Sequence, residues 1–339
     1  MYSIVAHGAR DLRLEEGAIP DGPGPGEVAV ALRIGGICGS DLHYFNHGGF
    51  GTVRLREPMV LGHEVAGTIA ALGEGVAGLA PGQTVAVNPS RPCGACANCR
   101  RGRANLCTDM RFNGSAMRFP HVQGLFRESV VVPAAQAVPV EASPDLAALC
   151  EPFAVCLHAA ARAGSLLGAR VLVSGSGPIG CLTVLAARLA GAAEIVVTDI
   201  AEPPLAVARA LGATATVNVA ASPDGLDGRV FDAAFECSGN GQALLAALKV
   251  MRAGGRLVLV GLGGEVTLPI AGLVPSEIEI VGSFRFDGEF AMAADLISRG
   301  RVDPSPLITH TLPMRRAEEA FVLASDRAAA MKVQIALGA

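Results

Sequence analysis

The sequence predicts an α/β protein of two domains, a barrel-like all-β domain followed by a doubly wound parallel sheet, and three observations carry that prediction. The chain has 339 residues, too long for one typical core. Its first 150 residues read as short strands punctuated by glycine and proline, whereas from about Gly168 strand and helix patterns alternate. At the first strand-to-helix junction of that second part stands a glycine-rich turn, Gly175-Ser-Gly177-Pro-Ile-Gly180.

In chain order, Glu27 to Ile34 alternates or runs apolar after the turn-rich Pro20 to Gly26, and Pro58 to Leu72 and Gln83 to Val87 are similar. Arg170 to Ser174 is a β-branched run, and Ile179 to Leu189 has helical spacing. Glu194 to Asp199 reads as a second strand, and Pro204 opens a further helix from a first-turn position. Phe231 to Cys237, Gln242 to Met251 and Arg256 to Gly261 continue the alternation as strand, helix and strand. After about Asp287 come helix-like and strand-like pieces too few for a domain of their own, which can pack back on the first domain.

Composition excludes several classes. Hydrophobic residues make up 51%, but the excess is alanine-rich, and Arg188 and Glu194 interrupt the most apolar stretch. A membrane helix needs about 20 nearly uncharged residues, so no membrane partner is expected. A formal net charge of -4 gives no basic footprint for nucleic acid. Met1 to Glu16 carries early charges and no apolar signal-peptide core. With an odd total of nine cysteines this favours reduced thiols and a cytoplasmic location.

Three constellations carry chemistry. Cys93, Cys96, Cys99 and Cys107 place four thiols within fifteen residues. That spacing suits a closed tetrahedral zinc site, with an iron–sulfur cluster as the alternative, and Arg100, Arg101 and Arg103 beside it favour ionised thiols. Gly175, Gly177, Pro178, Ile179 and Gly180 form a turn that lets a pyrophosphate approach backbone N–H groups at a helix start. Asp199 ends the next strand about 20 residues on, where a carboxylate takes ribose hydroxyls. The third set, Cys38, His63, Glu64 and Glu151, is spread too widely for any spacing rule to assemble. Each has a bland reading as core thiol, packed histidine or solvated acid. Together they supply the sulfur, nitrogen and oxygen donors of an open zinc site.

In this order the constellations resemble the zinc-containing medium-chain dehydrogenase family over the whole chain. The strings that carry the likeness are Gly36-Ile-Cys-Gly-Ser-Asp-Leu-His43, Leu61-Gly-His-Glu-Val-Ala-Gly67, the four-cysteine lobe and the glycine-rich turn. The resemblance implies a GroES-like catalytic domain over residues 1–152 and 288–339, with a structural zinc lobe at about 90–110, and a Rossmann domain over 153–287. It implies an active site in the cleft between them, NAD or NADP as cofactor, and a homodimer or homotetramer. Position by position, Cys38 and His63 match zinc-ligand positions, and Glu151 matches the third. In the sorbitol-dehydrogenase-like branch Glu64 can ligate directly while the later glutamate holds the zinc-bound water, so both arrangements stand open here. Asp41 matches the acid that orients the histidine, Ser40 and His43 match the proton relay, and Ser238 joins the cofactor contacts. Zinc in this family acts as a Lewis acid on the alcohol oxygen while hydride passes to nicotinamide.

A narrower likeness runs through Asn88-Pro-Ser-Arg-Pro-Cys-Gly, Cys107-Thr-Asp-Met-Arg-Phe, Gly114-Ser-Ala-Met117, Phe119-Pro-His-Val122 and Gly282-Ser-Phe-Arg-Phe286. These strings resemble the L-idonate 5-dehydrogenase branch. Polyol-binding positions map onto Tyr44, Phe112, Glu151, Arg285 and Phe286, the last being tyrosine in sorbitol dehydrogenases. The expected substrate is a small sugar acid, with Arg285, Arg111 and Arg118 as candidate carboxylate partners. Polyol dehydrogenases of the sorbitol or L-iditol type and threonine dehydrogenases are the alternatives. Asp199, followed by Ile200, Ala201, Glu202 and Pro203 without an arginine, favours NAD over NADP.

Overall fold

The alternating run at Glu27 forms the strand Glu27–Gly36, whose Val28, Val30 and Leu32 point into a core while Arg33 faces solvent. This strand organises a seven-stranded sheet, described here from a computed structural model covering residues 1–338. It pairs antiparallel with Glu64–Leu72, with Ser129–Pro133 and with Lys332–Ala336. Thr84–Val87 and Ala137–Pro139 extend the sheet on one side, and Ile308–Pro313 lies parallel to Lys332–Ala336 on the other. The core beneath it joins residues from both ends of the sequence, among them Ile4, Val65, Phe126, Phe321, Val333 and Ile335.

The stretch Pro58 to Leu72 is not one strand. It breaks into Met59–Val60, which belongs to a separate sheet with Tyr2–Gly8 and Asp11–Glu16, and Glu64–Leu72. The break falls at Gly62, whose φ of 91° lies in the left-handed region open to glycine. Its consequence is that His63 and Glu64 sit at a strand start rather than in mid-ladder.

The chain divides into two compact units, Met1–Glu151 together with the residues from Phe290 onward, and Pro152–Glu289. The second unit is built on six parallel strands in spatial order Ala215–Asn218, Glu194–Asp199, Arg170–Ser174, Phe231–Glu236, Met251–Leu259, Glu279–Gly282. Numbered by appearance this is 3-2-1-4-5-6, the doubly wound order, and the direction of winding reverses between Arg170–Ser174 and Phe231–Glu236. Val171, Leu172 and Val173 are all fully buried, because a parallel strand is covered on both faces. The helix expected to open near Pro204 begins at Glu202, and the one expected to reach Met251 ends at Lys249, where Met251 starts the next strand. The apolar segment Pro144–Ala163 has the length and hydropathy of a membrane span but is 78% buried inside the protein, as a core helix is.

Candidate metal centres and dinucleotide site

The strand Glu27–Gly36 delivers the chain to Cys38, which precedes the helix Gly39–His47. Gly36 pairs with Glu64 in the neighbouring strand, and a Cβ on Gly36 would lie 2.4 Å from Glu64 Oε2, so glycine leaves room for that carboxylate. Cys38, His63 and Glu64 thereby bring one ligand atom each within 4.8 Å of one another. Glu151, first turn of the helix Cys150–Ala163, is buried close enough to feel the charges of His63, Glu64 and Cys38, yet lies outside that trio.

Burial governs the electrostatics of this cluster. It pushes the Cys38 thiol up to about 12, with the Glu64 charge adding to the effect. It pushes Glu151 up to about 8, offset in part by His63. A divalent cation would favour the ionised forms of such thiol and carboxyl donors, so the sulfur, nitrogen and oxygen donors here fit zinc. Asp41, fully buried, is raised by desolvation and pulled back by His63 and the Cys38 N–H. The expectation that it orients His63 meets a difference: Asp41 Oδ1 is 3.7 Å from His63 Nδ1, beyond a hydrogen bond. Its oxygens instead accept the N–H groups of Cys38 and Gly62, both at 3.1 Å, pinning the two turns that carry the ligands. His63 Nδ1 is buried without a hydrogen-bond partner among the described residues.

Sequence reasoning missed Lys332. Its ammonium is buried and donates to both Glu64 oxygens, at 2.6 and 2.9 Å, and to the Ile37 carbonyl at 3.2 Å. Burial alone would lower this lysine; the charges of Glu64 and Cys38 outweigh it and raise it. The available signal was a lone lysine inside the apolar run Met331 to Ala336, in a strand that has no solvent face to offer it.

Ser40 and His43 are half-buried on the first turns of Gly39–His47. Desolvation first, then His47 and Arg327, hold His43 below the ordinary histidine value. Tyr44 is buried, and its hydroxyl accepts the Ala116 N–H at 3.0 Å. Phe112 is buried with its ring 5.6 Å from that of His63. Arg111 is exposed and pairs in register with Arg91 across the ribbon Ser90–Arg91/Arg111–Phe112. Successive residues of a strand point to opposite faces, so Arg111 is directed away from the face Phe112 presents to His63. Arg118 forms an ion pair with Asp109.

The second cysteine set assembles as expected. The four sulfurs lie within 4.8 Å of one another, with Cys96 Sγ 3.5 Å from Cys99 Sγ and 4.0 Å from Cys107 Sγ. A tetrahedron with metal–sulfur bonds of about 2.3 Å has sulfurs about 3.8 Å apart, so the lobe fits zinc. Backbone N–H groups lower Cys93 (Ala95 and Cys96) and Cys96 (Cys99 and Thr108), the latter to about 5. The exposed Arg100, Arg101 and Arg103 are not the leading cause.

In the other unit, the glycine turn shows three distinct requirements. Gly175 has φ 93° and packs on Ser238, and a Cβ on Gly180 would strike the Gly175 carbonyl at 1.8 Å. Gly177 has nothing within 4 Å of its Cβ position and begins the helix Pro178–Leu189 with no side-chain cap, leaving Ile179 and Gly180 N–H groups for an anion. The arrangement fits a dinucleotide pyrophosphate. Asp199 accepts from Ser176 N at 2.7 Å, Ile200 N at 2.7 Å and Ala201 N at 3.1 Å. Ser238 belongs to a loop that sequence reasoning did not explain: buried Glu236 accepts its hydroxyl, its N–H at 2.8 Å and the Gly239 N–H at 3.0 Å, fixing the loop against Gly175. Arg285 has φ 53° and its guanidinium lies 4.8 Å from the Phe284 ring, beside the buried Phe286.

Comparison with known proteins places the chain in a family. Residues 24–142 match the family described as alcohol dehydrogenase GroES-like domain, and residues 178–299 match the zinc-binding dehydrogenase family. The chain is 44% identical over 314 residues to an Escherichia coli protein named L-idonate 5-dehydrogenase (NAD(P)(+)), covering 90% of each chain. It is 40% identical to Gallus gallus sorbitol dehydrogenase, covering 94% of this chain and 92% of the relative. The crystal structure of Escherichia coli L-idonate 5-dehydrogenase superposes with a TM-score of 0.92 at 41% identity, over 99% of this chain and 97% of that one. The chain therefore belongs to the zinc-binding alcohol dehydrogenase family, whose members use zinc and NAD(P) to act on secondary hydroxyls.

Proposed function

We propose that the protein is a zinc- and NAD-dependent dehydrogenase that oxidises L-idonate at C5 to 5-keto-D-gluconate and catalyses the reverse reduction. Arg285 carries this reading, together with the likeness to the L-idonate enzyme. A guanidinium binds a carboxylate through two parallel hydrogen bonds, and Arg285 is held on a fixed turn beside Phe286, which has no hydroxyl to offer a neutral polyol.

In this reading Cys38, His63 and Glu64 hold the catalytic zinc and Glu151 stands beside it, because the ligand atoms of the trio lie within 4.8 Å of one another and Glu151 is not among them. Lys332 offsets the Glu64 charge and leaves its carboxylate free lone pairs. Zinc, when bound, lowers the pKa of the substrate hydroxyl, and the nicotinamide accepts the hydride. Ser40 takes the hydroxyl proton and His43 passes it to solvent, a role its lowered pKa suits because it stays neutral and ready to accept. Cys93, Cys96, Cys99 and Cys107 hold a structural zinc, and Gly175 to Gly180, Asp199 and Ser238 hold the dinucleotide. We take the enzyme to be a cytoplasmic homo-oligomer.

The test is a substrate panel read by nicotinamide absorbance, with L-idonate, sorbitol, L-iditol and L-threonine. Efficiency is expected to be highest on idonate and to fall roughly ten- to a hundredfold in Arg285→Ala. Far better turnover of sorbitol or threonine than of idonate by the wild-type protein overturns the assignment.

A further inference from the structure

The segment between Gly282 and Glu289 holds Arg285 in a conformation that a non-glycine residue rarely adopts, with φ 53°. Such a conformation persists only where its surroundings determine it. Here the surroundings include one face of the helix Cys150–Ala163 and the end of the strand Met251–Leu259. At the near end of the segment, Arg162 Nε donates to the Gly282 carbonyl at 3.1 Å, and Ser283 N–H is taken by Leu259 O at 2.9 Å. At the far end, His158 Nδ1 lies 2.8 Å from Glu289 Oε1, while Glu289 Oε2 accepts the Asp287 N–H at 2.8 Å. His158 and Arg162 are four residues apart, so they project from the same side of the helix and grip both ends of the turn. His158 is buried, as is the Phe286 ring between the two grips.

We propose that His158 and Arg162 are positioning residues that preset Arg285 for an anionic substrate, and so determine specificity for sugar acids over neutral polyols. The proposal rests on the reading of Arg285 as the carboxylate partner. Neither His158 nor Arg162 need touch substrate. Each acts through the turn, and a turn fixed in advance spends none of the binding energy on ordering an arginine.

The experiment compares His158→Ala, Arg162→Ala, Arg285→Ala and the double variant His158→Ala/Arg285→Ala for kcat/KM on idonate and on sorbitol. His158→Ala is expected to lower the idonate-to-sorbitol ratio roughly tenfold, the scale of one charge-assisted hydrogen bond, through KM rather than kcat. His158→Asn, which keeps a donor at the δ position, restores it. The double variant is expected to be no worse than Arg285→Ala alone, because two residues acting through one contact are not additive. An unchanged ratio in His158→Ala, or additive losses, overturns the proposal. Hydrogen exchange over residues 283–289 reads the grip without reference to substrate: it should accelerate in His158→Ala, and no acceleration also overturns the proposal. If exchange accelerates while Arg285→Ala leaves the ratio unchanged, the carboxylate reading of Arg285 is what falls, and the specificity role with it, leaving the grip as shape alone.

Discussion

Lys332 Nζ sits 2.6 Å from Glu64 Oε2, both side chains buried, in strands that flank Glu27–Gly36 on opposite sides. Removing one partner of such a pair leaves a bare charge out of water, typically at a cost of about 3–5 kcal/mol. Lys332→Met should therefore lower the stability of the metal-free protein by about that amount in urea denaturation. Lys332→Met/Glu64→Gln, which removes both charges, should recover most of the loss. A single variant as stable as wild type would show that the pair contributes nothing to stability.

The two metal sites should differ in how readily they release zinc. The lobe offers four sulfur ligands of its own, whereas Cys38, His63 and Glu64 offer three, the number a catalytic zinc with one open position takes. Mild chelation followed by metal analysis should remove one zinc per chain first, with turnover falling in step. Cys38→Ala should stay folded and inactive, and Cys96→Ala should lose mainly thermal stability. Full turnover after loss of the first zinc would rule out its Lewis-acid role.

Asp199 should set cofactor choice. Its carboxylate is held by three backbone N–H groups at the end of its strand, and Arg209, the nearest cation on the following helix, is engaged by Glu202 and Thr216. A 2′-phosphate there meets like charge, so kcat/KM should favour NAD over NADP by more than about tenfold. Asp199→Asn removes the charge while keeping a carbonyl acceptor, and should narrow the gap. Equal efficiency with both cofactors in the wild-type enzyme would show that the ribose lies elsewhere.

Glu289 gives an acid limb to stability. Partial burial works against its charge, but the His158 hydrogen bond and the N–H groups of Asp287 and Glu289 prevail and hold the carboxyl at about 2, below its ordinary 4.5. A carboxyl depressed on folding stabilises above its unfolded value and ceases to do so as pH falls through the folded one. The contribution should be complete above about pH 4.5 and fade toward pH 2. Glu289→Gln should flatten that part of the stability curve measured by denaturant titration, and an unchanged slope would count against the assignment.

How much of this was legible depended on the distance over which each feature is encoded. Arg170–Ser174 and Glu194–Asp199 could be read to the residue, since doubly covered parallel strands are short β-branched runs between turns. The four-cysteine lobe and the glycine turn were legible for the same reason: their geometry is local. Pro58 to Leu72 misled because its hydrophobic pattern continues through Gly62, whose backbone departure leaves His63 just before the ladder and Glu64 at its first rung. Lys332 and Glu64 are 268 residues apart, and no periodicity connects them. Their pairing is set by the sheet, which places Gln334 and Glu64 on either side of Gly36.

That sheet order also has a temporal side. On a ribosome adding roughly 5–20 residues per second, Glu64 emerges some tens of seconds before the lysine that neutralises it. The parallel-stranded unit Pro152–Glu289 is contiguous and can collapse as it emerges, while the strand Glu27–Gly36 waits for Lys332–Ala336 to arrive beside it. The cluster of Cys38, His63 and Glu64 should thus stay without its compensating lysine until residue 332 has emerged. Ribosome-stalled chains halted before Lys332 should carry a folded dinucleotide unit and a protease-sensitive N-terminal half.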